Sequence, residues 1–142
     1  MQDALSKWDR RFLALAGEVA SWSKDPSSKV GCCIVDAKKR IVSLGFNGSP
    51  QKVGDVGERS TRLLRTIHAE ANALHFASRD VEGCTIYVTH PPCANCAAHL
   101  IQRDIAEVVF FRGSDDFMSR WKENYDEAIL MFLEANVKVR EI

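Results

Sequence analysis

The chain has 142 residues and a mass of 15.9 kDa, enough to bury a core as one ordinary domain spanning residues 1–142 without disulfide staples. Nineteen basic and nineteen acidic residues give a formal net charge of zero, which argues against the strong basic field that most nucleic-acid binders use. No apolar run approaches a membrane span, and the first eight residues lack the charged-then-apolar layout of a signal peptide, so a cytoplasmic location with no membrane partner is expected.

Apolar residues at Leu5, Trp8, Phe12, Leu15, Val19 and Trp22 recur at helical spacing. They predict an amphipathic helix from about residue 4 to 23, stopping before Asp25-Pro26, with both tryptophans in the core. Residues 30–36 and 40–46 read as two strands of a hairpin around the polar turn Ala37-Lys38-Lys39. The glycines, prolines and charges from Gly48 to about Thr61 mark a loop, and the chain is expected to remain loop up to a helix that starts near His68 and runs to Ala77. Then come a strand at 84–89, a helix from Cys93 to about Gln102, a strand at 107–111, a helix from about Ser119 to Glu134, and a short strand at 137–139. This alternation predicts an α/β fold with a mixed sheet covered on both faces.

Two of the predicted helix starts carry chemistry. One reads His68-Ala69-Glu70 and the other Pro92-Cys93-Ala94-Asn95-Cys96. An imidazole and two thiolates form a soft donor set that favours zinc, and three protein ligands leave its fourth position open, as catalytic sites do. Cys93 and Cys96, three apart, share a helix face and can grip one ion from a single turn. His68 and Glu70 are two apart, roughly 200° around a helix of 3.6 residues per turn, so they converge only at a helix end. Placed there, Glu70 is the natural proton carrier between water and a leaving nitrogen.

Other readings compete. Cys-x-x-C at a strand-to-helix junction also serves redox dithiols, and the upstream His-Ala-Glu is what favours zinc here. A purely structural zinc needs a fourth protein ligand, which Cys32, Cys33, Cys84, His90 or His99 could supply. The odd count of five cysteines fits a reducing compartment, with Cys32, Cys33 and Cys84 as small buried hydrophobes among strand residues. His90 reads equally as a pocket wall or as packing, whereas His99 and His75 read as ordinary helix residues.

The paired motifs are those of zinc nucleobase deaminases, and nearly the whole chain resembles the deoxycytidylate (dCMP) deaminases of the cytidine-deaminase-like superfamily. The resemblance rests on Asp25-Pro26-Ser27-Ser28 followed by Val30-Gly31, on Ile86-Tyr87-Val88-Thr89 before Pro92-Cys93, and on Gly45-Phe46-Asn47-Gly48-Ser49-Pro50, where that family shows Gly-Tyr-Asn-Gly-x-Pro. It implies a three-layer α/β/α sandwich with a mixed five-stranded sheet. It also implies zinc on His68, Cys93 and Cys96, Glu70 as proton shuttle, and Asn47 against the sugar. Ser27, Lys29, Ser49 and Arg112 are its candidates for the 5′-phosphate region. The chain departs from the family pattern at Phe46, which lacks the tyrosine hydroxyl, and at Pro91, where relatives usually carry phenylalanine. Between Pro50 and His68 it lacks the Cys and His residues of a second, structural zinc, so one zinc per chain is expected. In some relatives the corresponding segment also carries part of the apparatus that responds to dCTP and dTTP; it is short here, which argues against allosteric control.

The implied function is zinc-dependent hydrolytic deamination of dCMP to dUMP and ammonia, supplying dUMP for thymidylate synthesis. The implied partners are a small nucleotide and further copies of the chain, with no nucleic acid. A backbone N–H at the start of the Cys93 helix is a further candidate contact to the base or leaving group. Two alternatives stay open. A superfamily deaminase acting on a tRNA adenosine or a polynucleotide cytosine would need a basic groove and stacking aromatics. A non-catalytic zinc- and nucleotide-binding module is the other, and an intact Glu70 argues against it.

Overall fold

Ser6 closes a capping box on the first helix, α1 (Lys7–Ala20): its Oγ accepts from the Asp9 N–H at 3.0 Å, and the Asp9 carboxylate accepts from the Ser6 N–H at 2.9 Å. The structure, a computed structural model, describes residues 5–142, so the start predicted at residue 4 lies outside the described residues. Of the predicted stripe Phe12 and Val19 are buried and Leu5 and Leu15 half-buried, and Leu13 and Ala16 beside it are buried as well. Trp8 and Trp22 are not in the core, contrary to expectation, with 36% and 49% of their surface exposed. Trp8 lies in the helix's first turn and stacks on Phe12, while Trp22 follows its last turn and meets Phe46 edge-on, so each covers an end of the stripe.

The predicted hairpin forms from β1 (Gly31–Val35) and β2 (Ile41–Phe46), paired antiparallel. The sheet then adds β3 (Thr85–Val88) antiparallel to β1, with β4 (Glu107–Phe110) and β5 (Lys138–Glu141) parallel to β3, in the order β2-β1-β3-β4-β5. It is the mixed five-stranded sheet that was expected. Strand side chains alternate between faces. On one face Cys33, Val35, Tyr87 and Val109 pack against Phe12 and Leu13 of α1. On the other, Cys32, Ile34, Ile86, Val88, Val108 and Phe110 pack beneath α3 (Ala69–His75), α4 (Ala94–Gln102) and α6 (Lys122–Glu134). Cys32, Cys33 and Cys84 are buried, and burial pushes the Cys33 thiol up to about 12, which leaves it inert.

Two segments depart from the sequence reading. The stretch before His68 is not all loop: α2 (Arg59–Arg65) occupies it, with no buried residue to betray it as a stripe. The predicted helix from Ser119 to Glu134 is α6, preceded by a separate α5 (Asp115–Arg120) that is capped by Ser114 and ends at Trp121. No glycine or proline marks that break.

Gly45 lets α3 approach β2, since a Cβ there would fall on the Ala69 carbonyl oxygen and against Ala73. Overpacking of this kind typically costs about 1–3 kcal/mol. Gly45→Ala is therefore expected to lower stability by that amount and to lower turnover with it, because the displaced helix carries Glu70. Denaturant melts and kcat on the same preparation check this, and wild-type values for both would contradict it.

At the far side of the sheet Arg140 donates from Nη1 and Nη2 to the Asp9 carboxylate, both at 2.8 Å, and from Nε to Glu107 at 2.8 Å, while the Tyr87 hydroxyl donates to Asp9 at 2.7 Å. Arg140 beside it, helped by the Ser6 N–H and Tyr87, holds the Asp9 carboxyl well below the usual carboxylate range against the opposing effect of burial. A depressed folded-state pKa means stability that is present above the unfolded value of about 3.9 and lost as pH falls below it. Breaking a buried pair costs about 3–5 kcal/mol. Asp9→Ala should lose that much at pH 7, and its stability should decline less steeply than wild type between pH 5 and 3. Equal acid slopes for the two proteins in urea melts would refute the assignment.

Candidate active site

Two helix N-termini meet beside the end of β3. His68 is the N-cap of α3 and Cys93 the N-cap of α4, both in extended backbone conformation, so the chain turns into each helix at a donor residue. His68 Nδ1 lies 3.5 Å from Cys93 Sγ and 3.3 Å from Cys96 Sγ. The three donor atoms all fall within 4.8 Å of one another, and among the described residues no fourth His, Cys, Asp or Glu joins them. The fourth ligand that a structural site needs is therefore not supplied by Cys32, Cys33, Cys84, His90 or His99.

The electrostatics of this trio call for a cation. Hydrogen bonds from the Cys96 side chain, from His68 and from the Cys96 N–H hold the Cys93 thiol well below its ordinary value, while the neighbouring Cys93 and burial push Cys96 up. Protein groups alone thus let one sulfur ionise at the other's expense. A divalent ion between them removes that conflict and accepts both thiolates, so the residues fit zinc.

Glu70, in the first turn of α3, is 4% exposed. Burial pushes its carboxyl up to about 7, with Cys93 adding to the rise and its own backbone N–H and His68 opposing it. A carboxyl poised there can both take and give a proton near neutrality. It shares a cavity of about 270 Å³ with His68, Cys93, Asn47, His90 and Ser27. His90 is thus part of the wall; its Nδ1 is 2.8 Å from Thr89 Oγ1, and burial lowers its pKa.

Other predicted contacts are arranged differently. Asn47 lines the cavity, but its side chain already braces the entry to β1, with Oδ1 accepting from the Val30 N–H and Nδ2 donating to the Ser28 carbonyl, each at 2.9 Å. An amide has one further lone pair and one further N–H to offer a ligand. Ser49 lines a neighbouring cavity of about 230 Å³. Lys29 and Arg112 line neither, and Arg112 is paired with Asp115 at 2.9 Å. At the start of α4 the Ala94 N–H donates to Asn124 Oδ1 at 2.7 Å and the Cys96 N–H to Cys93 Sγ at 3.4 Å, so these two are not available to a ligand.

Six lining residues escaped the sequence reading: Arg59, Arg62 and Leu63 on α2, Thr66 just after it, and the aromatic pair Phe117 and Trp121 around α5. Both helices are short and lack a buried stripe, and the signal available was the Ser114 cap three residues before Phe117.

A three-donor site with a buried carboxyl beside it, on a mixed sheet flanked by helices, defines a zinc deaminase. A model of the cytidine and deoxycytidylate deaminase zinc-binding region matches residues 6–112. The chain belongs to that family, and zinc is its cofactor. It is 49% identical over 138 residues to an uncharacterised deaminase from the luxG 3′ region of Aliivibrio fischeri, covering 95% of this chain and 93% of that one. It is 37% identical over 150 residues to the deoxycytidylate deaminase of Mus musculus, covering 99% and 82%. The fold matches that of the dCMP deaminase from cyanophage S-TIM5 in complex with dCMP and dUMP, with a TM-score of 0.81, 21% identity, and coverage of 99% and 100%.

Proposed function

We propose that this protein hydrolyses dCMP to dUMP and ammonia, with His68, Cys93 and Cys96 holding one zinc ion and Glu70 carrying the protons. The observation that carries the proposal is the buried Glu70 carboxyl in one cavity with an open-sided set of three zinc donors. Deoxycytidylate deaminases at 37% identity over almost the whole chain support the choice of substrate.

Zinc, when bound, supplies Lewis-acid activation of water. The chain's own residues handle the protons. As water adds to C4 of the base, Glu70 takes one of its protons and delivers it to N3; the second goes to the exocyclic nitrogen. The C4–N bond then breaks, C4 keeps the oxygen as a carbonyl, and ammonia departs. Near-complete burial of Glu70 keeps bulk water from intercepting these transfers. Asn47 fixes the 28–30 segment along the cavity and offers its remaining amide capacity to the sugar. Phe117 and Trp121 give an apolar wall suited to a base.

The polynucleotide alternative gains the aromatic pair but lacks a basic groove, since the cavity's only lysines or arginines among the described residues are Arg59 and Arg62, with Asp25 beside them. The proposal includes a cytoplasmic location, supported by five unpaired cysteines. It also includes a homo-oligomer, supported by exposed Leu130 and Leu133 on the last helix. No described helix is long and apolar enough to cross a membrane. The direct test is coupled detection of ammonia and dUMP from dCMP: equal release of the two is expected, and binding of dCMP without release of either would favour the non-catalytic module.

A further inference from the structure

A nucleoside monophosphate brings an anionic phosphate that needs cationic donors inside the site. Among the described residues, the cavity over Glu70 and His68 offers two, Arg59 and Arg62, three apart on one face of α2. Arg62 is anchored. Its side chain is 12% exposed, with Nη2 donating to Ser27 Oγ at 3.1 Å and Nη1 to the Gly57 carbonyl at 3.2 Å. Its Nε is buried 3.5 Å from Asp25 Oδ2 and makes no hydrogen bond. Of the five N–H donors of a guanidinium, two are thus used and Nε is buried against Asp25, which leaves one each on Nη1 and Nη2. Arg59 is exposed and has no ion pair or hydrogen bond among the described residues.

Asp25 explains why a phosphate would turn to the arginines and not to the neighbouring backbone. Its Oδ1 accepts from the Ser27 N–H at 2.8 Å and the Ser28 N–H at 2.9 Å, so the amides of that turn are already used. Burial would raise the Asp25 carboxyl, but those two amides and Arg62 outweigh it and keep the group ionised. Arg62 therefore offsets Asp25, and Arg59 supplies the uncompensated positive charge.

We infer that Arg59 and Arg62 read the 5′-phosphate, Arg62 as a fixed fork and Arg59 as the free cation, so that preference for a monophosphate is set by the segment between β2 and α3. The inference rests on the proposed dCMP reading and is tested beside it. The probes are dCMP and deoxycytidine for turnover, and dUMP and deoxyuridine for equilibrium binding, with zinc-loaded wild type, Arg59→Gln and Arg62→Lys. Arg59 has no internal partner to lose, so its variant keeps the fold, and Arg62→Lys keeps the charge while removing the fork.

A charge-assisted contact of this kind corresponds to about tenfold or more. Each variant should lose that factor in kcat/KM for dCMP and in dUMP affinity, with the two nucleosides unchanged within about twofold. An unchanged preference for the monophosphate in both variants would overturn the arginine assignment and leave the dCMP reading standing. Parallel losses on nucleotide and nucleoside would also overturn it, in favour of a structural role for α2. A wild type with no preference for dCMP over deoxycytidine would overturn the dCMP reading and the assignment with it.

Discussion

Glu70→Gln is expected to reduce turnover of dCMP by about 10²–10⁴-fold while the protein still binds one zinc per chain. Glutamine matches the shape and hydrogen-bonding reach of the buried carboxyl but neither accepts nor returns a proton at neutral pH. The zinc donors sit outside this change, since they come from the N-caps of α3 and α4 and from the first turn of α4. Stability should be at least maintained, because burial disfavours the ionised carboxylate and the amide carries no charge. Glu70→Asp is the informative companion: it keeps the acid but withdraws it by one methylene, and should fall between wild type and Gln. Metal content by atomic emission, melting temperature and kcat on the same samples separate the proton role from a ligand role. Turnover above a tenth of wild type in Glu70→Gln, or loss of zinc from it, would contradict the assignment.

Removing the metal should have an effect at least as large. Chelation is expected to abolish deamination, and added zinc to restore it, with one ion per chain at saturation. Cys96→Ala should lose both zinc and activity, because the buried Cys96 is one of only three donors and no fourth His, Cys, Asp or Glu stands near enough to replace it among the described residues. Cys33→Ala is the control. That thiol is just as buried but lies on the opposite face of the sheet, bonded to the Phe12 carbonyl at 3.5 Å, and its loss should affect packing and not metal content. The same experiments separate zinc from a redox dithiol at Cys93 and Cys96. A metal-free protein that stayed active and responded to thiol oxidation would favour the dithiol.

Much of this site was legible because its spacing encodes geometry. Cys93 and Cys96 had to share a helix face, and His68 and Glu70 could serve one site only at a helix start. Both conditions hold at the N-caps of α4 and α3. Strands β1 to β4 were legible because their side chains are mostly apolar, as the fully buried β1 shows, whereas β5 carries three charged residues around Val139. The segment from Arg59 to Arg65 was not, because α2 buries no residue: Leu63 and Leu64 are exposed, so no periodic stripe distinguishes it from a charged loop. With that helix the two cavity arginines were missed. Lys29 and Arg112, chosen for charge and position in the chain, fall outside the cavity because nothing in their local sequence fixes where their side chains point. Trp8 and Trp22 were assigned to the core by periodicity alone, and periodicity gives a side chain's direction but not how far the sheet extends beneath it. At Trp121 the chain leaves one helix and enters the next without proline or glycine, a break set by tertiary packing that local propensity does not record.

The most direct test of the account is a side-by-side deamination assay of the zinc-loaded protein on dCMP, dCTP, deoxycytidine, CMP and short cytosine-containing single-stranded DNA. Strong preference for dCMP is the predicted result. Turnover of DNA with none of the free nucleotides would contradict the account, and would make the aromatic pair at Phe117 and Trp121 a stacking platform for a strand.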